Sequence, residues 1–104
     1  MQVVDSSNFK KEVLDSPIPV AVDFYADWCP PCKIYAPQFE KVAKTMEGKA
    51  KFVKLNVDNA IDIAKEYEVM SIPTTIFFKA GKPAGNFVGA MGEADFQKWV
   101  QERL

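Results

Sequence analysis

The chain has 104 residues, of which 48% are hydrophobic, 26% charged and 12% aromatic, a balance that suits one folded domain over residues 1–104 and excludes a disordered or fibrous chain. Thirteen Lys and Arg stand against fourteen Asp and Glu, a net charge of −1, so no nucleic-acid or anionic-membrane footprint is expected. No stretch reaches the roughly eighteen apolar residues of a membrane helix, and no basic start with an apolar core follows Met1, so the cytoplasm is the expected place.

In chain order, residues 2–4 form a short strand candidate, and Asp5-Ser6-Ser7 can cap a helix carrying Phe9, Val13 and Leu14. Pro17 and Pro19 end it. Residues 20–25, Val-Ala-Val-Asp-Phe-Tyr, are nearly all apolar, the pattern of a strand covered on both faces. A helix follows, with Tyr35, Phe39, Val42, Ala43 and Met46 on one stripe, a kink expected at Pro37 and a stop at Gly48. Residues 51–57 alternate Phe52, Lys54 and Asn56 with Val53, Leu55 and Val57, which predicts a second strand. Asn59 can cap a short helix bearing Ala60, Ile63, Ala64 and Tyr67. Residues 73–79 read as a strand, Ala80-Gly81-Lys82 as a turn, and residues 84–89 as the hairpin partner. The last helix gathers Phe96, Trp99, Val100 and Leu104 on one side. The order βαβαβαββα predicts an α/β domain, about five strands in a mixed sheet flanked by about four helices.

The chemistry is narrowed by what is missing. There is no histidine, which removes Ser-His-Asp and Cys-His catalysis and imidazole metal sites. Cys29 and Cys32 are the only cysteines, so one chain cannot build a four-cysteine metal site. Cys29-Pro30-Pro31-Cys32 instead has the spacing of a redox dithiol. Residues three apart at a helix start have α-carbons about 5 Å apart, within disulfide range. So small a ring removes little chain entropy, on the order of 2 kcal/mol. It is a poor staple and a good switch. At the helix N-terminus the first sulfur is favoured as thiolate, and only thiolate attacks disulfides. Cys29 is therefore the expected exposed nucleophile and Cys32 the resolving thiol. Two cysteines packed as small hydrophobes, or a metal cluster shared between two chains, are the competing explanations.

Asp23 lies midway through an apolar strand, where burial should raise its pKa toward neutrality. With no histidine present it is the candidate to take the Cys32 proton; the alternative is a carboxylate that finds a hydrogen bond or a place at the rim. Lys54 either tunes Asp23 from the next strand or points into solvent. Trp28 is either core or an exposed partner contact, and Pro73 precedes a buried strand.

Val22-Asp23-Phe24-Tyr25-Ala26-Asp27-Trp28-Cys29, Cys32-Lys33 with Ala36-Pro37, Lys54-Leu55-Asn56-Val57-Asp58, Ile72-Pro73-Thr74 and Val88-Gly89-Ala90 occur in order along the chain. Together they resemble the thioredoxin family from end to end. The resemblance implies the thioredoxin fold and a protein-disulfide reductase working by dithiol–disulfide exchange, with Cys29–Cys32 as its disulfide. It implies that Asp23 with Lys54 assists proton transfer and that Pro73 is cis and lies against the sulfurs. Trp28, Pro30, Ser71, Ile72, Gly89 and Ala90 would dock an extended substrate segment by strand addition. No bound cofactor or metal is implied, because the dithiol carries the two electrons. The implied partners are a thioredoxin reductase, NADPH- or ferredoxin-linked, and disulfide-containing proteins; a monomer is the default expectation for the chain. A disulfide oxidant or isomerase, and an interaction module with incidental cysteines, are the alternatives. The chain departs from the family's commonest pattern at Pro30, where Gly is usual, at Tyr25 for a frequent Trp, and at Met70 and Ser71 for a basic residue and Gly.

Overall fold

A computed structural model describes all 104 residues. Its five strands are β1 (Val3–Val4), β2 (Val20–Tyr25), β3 (Lys51–Asn56), β4 (Thr74–Lys79) and β5 (Lys82–Val88). Three α-helices, α1 (Pro30–Thr45), α2 (Ile61–Glu66) and α3 (Glu93–Gln101), are joined by a π-helical segment Lys10–Leu14 and a 3-10 turn Val57–Asn59. Across the sheet the order is β1-β3-β2-β4-β5. The first three run parallel, and β4 and β5 join antiparallel. The expected chain order is observed, with the π-helical segment as its first helix.

Side chains alternate across a strand, so β2 feeds two different cores. Val20, Val22 and Phe24 pack with Phe9 and Val13 of the π-helical segment and with Ile63 of α2. Ala21 packs with Tyr35, Phe39 and Val42 of α1 and Phe96 and Val100 of α3. Register then sets the remaining face: Asp23 pairs with Lys54 on β3 and with Thr75 on β4, and Tyr25 with Asn56. One face is apolar throughout, while the α1 face turns polar toward the end where Cys29 sits.

Four expectations are corrected. The first helix is π-helical, the Asp15 amide donating to the Lys10 carbonyl at 2.9 Å. Asp5 caps the turn before it, accepting the Ser7 N–H at 2.8 Å, and the wide turn leaves Phe9 and Val13 buried. Asn59 does not cap α2: the Asn56 side chain accepts the Asp58 N–H at 3.0 Å, closes the 3-10 turn and moves the helix start to Ala60. Leu104 lies past the end of α3 and is exposed. The hairpin turn is shorter than expected, because Ala80 (φ +53°) and Gly81 (φ +78°) suffice and Lys82 already pairs with Lys79. Gly81 is required there, since a Cβ would lie 2.9 Å from the Leu14 carbonyl oxygen.

α1 runs unbroken through Pro37, whose ring nitrogen has no proton for the Lys33 carbonyl.

Candidate active site

Cys29 is the N-cap of α1, in extended backbone, and Pro30 and Pro31 fill the first two helical positions. Proline suits the first turn because the amides there have no intrahelical partner. It also removes two donors from the helix mouth. The one first-turn amide on the Cys29 Sγ is that of Cys32, which donates at 3.3 Å. Cys29 and Cys32 are joined as a disulfide, their α-carbons 5.3 Å apart, close to the separation the helix start gives residues three apart.

Exposure does not separate the two sulfurs. Cys29, expected to be exposed, is 3% exposed, as is Cys32. The cause is distant in sequence: Ala26 and the two cysteines form a small apolar cluster covered by Tyr25, Val57 and Ile72. What distinguishes Cys29 is its place at the helix end and the amide on its sulfur.

Asp23 is fully buried, and neither carboxylate oxygen has a hydrogen-bond partner. Burial pushes its pKa from 3.8 up to about 7, opposed by the Lys54 ammonium. Lys54 is half-buried and stands across from Asp23 in the parallel register, with its Nζ 4.5 Å from the Tyr25 ring centroid. It does not point freely into solvent. Tyr35 of α1 shares a 2.8 Å hydrogen bond with the Thr75 hydroxyl, and burial pushes its phenol pKa far up. A cleft of about 120 Å³ reaches Cys32, walled by Tyr25, Ala26, Asp27, Lys33, Ala36 and Lys54.

The second side of the site is built by loops. The Ile72–Pro73 peptide is cis, and the Ile72 carbonyl oxygen lies 3.8 Å from the Cys29 Sγ. Pro73 is buried, Ile72 and Gly89 half-buried, and Ser71, Pro30 and Ala90 exposed. Thr74 Oγ1 donates to the Ser71 carbonyl at 2.5 Å. The Gly89 amide donates to the Pro73 carbonyl at 2.7 Å, from a φ of +103° that side chains rarely adopt. Trp28 is 66% exposed, held by its indole N–H donating to Asp58 Oδ2 at 2.9 Å. Asn56 Nδ2 donates to Asp27 Oδ2 at 3.4 Å. Asp58 and Asn56 have no role in the pattern of residues alone, because their partners lie about thirty positions away. A carboxylate just past a strand end was the only signal.

A redox disulfide at a helix start, set on a mixed sheet beside a buried carboxyl and a cis-proline loop, defines a thiol–disulfide oxidoreductase of the thioredoxin fold. A family model described as Thioredoxin matches residues 1–102. The chain is 44% identical to Thioredoxin 1 of Nostoc over 99% of its own length and 95% of the relative's. It is 40% identical to a thioredoxin of Rickettsia felis, over 97% of this chain and 96% of that one. To an M-type chloroplastic thioredoxin of Spinacia oleracea it is 41% identical, over all of this chain and 58% of that one. The chain belongs to the thioredoxin family. It is a dithiol–disulfide oxidoreductase that reduces protein disulfides, and it works with a thioredoxin reductase and with disulfide-containing substrates. No helix is long and apolar enough to cross a membrane.

Proposed function

We propose that Cys29 attacks and Cys32 resolves. In the reduced protein the Cys29 thiolate forms a bond to one sulfur of the substrate disulfide, and the other substrate sulfur leaves as thiolate. Cys32 then loses its proton and attacks the Cys29 Sγ. The mixed disulfide breaks, the second substrate thiolate leaves, and Cys29–Cys32 closes with two electrons passed to the substrate. The observation that carries this order is the N-cap position of Cys29 with the Cys32 amide on its sulfur, since amide and helix dipole both favour thiolate there.

Asp23 takes the Cys32 proton in this scheme, and Lys54 tunes it. Support comes from a carboxyl that titrates at about 7, poised to hold or release a proton at working pH, and from Lys54 lying both opposite Asp23 and on the cleft with Cys32. Pro73, in the loop against the disulfide, keeps the substrate strand extended. Trp28, Pro30, Ser71, Ile72, Gly89 and Ala90 dock it, a role supported by the loop's closeness to Cys29 and the exposed Trp28 ring. The whole of residues 1–104 acts as one monomeric domain. A reductase fed by NADPH or ferredoxin recharges it in the cytoplasm, a reducing compartment that keeps the dithiol available.

The test is trapping. With a disulfide-bonded test protein, Cys32→Ser accumulates a covalent complex through Cys29, read by mass spectrometry under non-reducing conditions, and Cys29→Ser accumulates none. A complex trapped through Cys32 would reverse the assignment.

A further inference from the structure

We propose that Tyr25 is a positioning residue for the reduction: its ring seats the Lys54 ammonium on the wall of the Cys32 cleft and so holds that cation beside Asp23. Lys54 has a long flexible stem, and such an ammonium ordinarily spreads over many rotamers in water. Here it makes no ion pair and no hydrogen bond: the salt bridges of the chain are Lys10–Asp15, Lys41–Glu93 and Lys51–Glu12. The group that meets its Nζ is the Tyr25 ring, 4.5 Å away, an attraction between a cation and the negative face of the ring.

The register makes this contact purposeful. Asp23 and Tyr25 point to the same face of β2, and Lys54 stands across from Asp23. A lysine leaning toward Tyr25 therefore stays over the α1 face, where it and Tyr25 both line the cleft with Cys32. The charged and titratable groups around Asp23 are few. Lys54 faces it from β3, and Tyr25 and Asp27 lie further along its own strand and the loop beyond. Tyr35 faces it from α1, where Lys33 and Cys32 line the nearby cleft, and β4 offers the uncharged Thr75. Lys54 is the one cation among them that acts on the Asp23 carboxyl, so where its ammonium sits sets how far the effect of burial on that carboxyl is opposed.

The kinetic consequence rests on the proton-transfer role proposed for Asp23, but the seating can be read without it. Carbon-13 NMR of the Asp23 carboxyl in the oxidised protein gives its titration midpoint directly. Tyr25→Leu should raise that midpoint by at least about half a pH unit, threefold in proton affinity, because the lysine drifts away. Tyr25→Phe and Tyr25→Trp, which keep a ring, should retain the wild-type value. In a Lys54→Met background the midpoint is already raised, and adding Tyr25→Leu should move it no further. A midpoint unchanged in Tyr25→Leu, or a shift equally large without Lys54, would overturn the proposal. The wild-type protein offers a second reading that needs no variant: Lys54 ε-methylene protons shifted upfield by the ring support the seating, and random-coil shifts refute it. A failed proton-transfer role looks different, with the carboxyl midpoint moving as described while the pH dependence of reduction ignores Asp23.

Discussion

The two faces of the sheet answer different demands. Under the π-helical segment and α2, β2 contributes Val20, Val22 and Phe24 to a core without a charged group. Under α1 and α3 the same strand contributes Ala21, Asp23 and Tyr25, and β3 and β4 add Lys54, Asn56 and Thr75. Close-packed apolar side chains stabilise through burial and dispersion. A buried carboxylate does the opposite, because its charge is stripped of water. The apolar face holds the molecule together, and the mixed face gives up stability so that a proton can be held next to the dithiol.

Adjacent residues of β2 should therefore respond with opposite signs. Phe24→Ala empties a fully buried site on the apolar face and should cost about 3–5 kcal/mol, read by denaturant unfolding. Asp23→Asn should stabilise, and only in one pH range. The folded protein keeps the Asp23 proton up to about 7, whereas the unfolded chain releases it near 3.8. Between those values the folded state binds more protons, so stability falls as pH rises. At about 1.4 kcal/mol per unit, the loss is complete above pH 7 and amounts to at most about 4 kcal/mol. The gain from Asp23→Asn should be near zero at pH 4 and reach its full size above pH 7. A gain independent of pH would show that Asp23 does not titrate as described. Smaller still, Tyr35→Phe deletes the hydrogen bond to Thr75 and should cost about 1 kcal/mol, leaving the titration of Asp23 in place.

Much of this contrast was legible in the residues. The apolar run around Asp23 announced a buried carboxyl, and the 3.6-residue stripe from Tyr35 to Met46 announced the helix that covers it. The Cys-Pro-Pro-Cys spacing announced a disulfide at the helix start. These are local signals, set within a few positions. What escaped depends on contacts far apart in the chain. The burial of Cys29 comes from Ile72, Tyr25 and Val57 closing over it. The hold of Asp58 on Trp28 spans two loops, and the seat of Lys54 on Tyr25 exists only once β2 and β3 are in register. The π-helical segment was missed because its hydrogen bond, from the Asp15 amide to the Lys10 carbonyl, closes one residue later than an α-helical one, and the spacing of Phe9, Val13 and Leu14 does not register that. Asn59 was mistaken for a cap because a 3-10 turn, closed by Asn56 accepting the Asp58 N–H, takes up Asn59 as its last residue and leaves Ala60 at the head of α2. The cis peptide at Pro73 was expected from family resemblance alone, since nothing local to Ile72-Pro73 selects it.

The most direct test of the division between the two faces is the pH dependence of mixed-disulfide resolution. It is followed as release of the second substrate thiol in a single turnover, for the wild type and for Asp23→Asn. The wild-type rate should rise through an inflection near pH 7, where the buried carboxyl becomes able to accept a proton, and Asp23→Asn should be slower with that inflection gone. An inflection of the same size and position in both proteins would contradict the account.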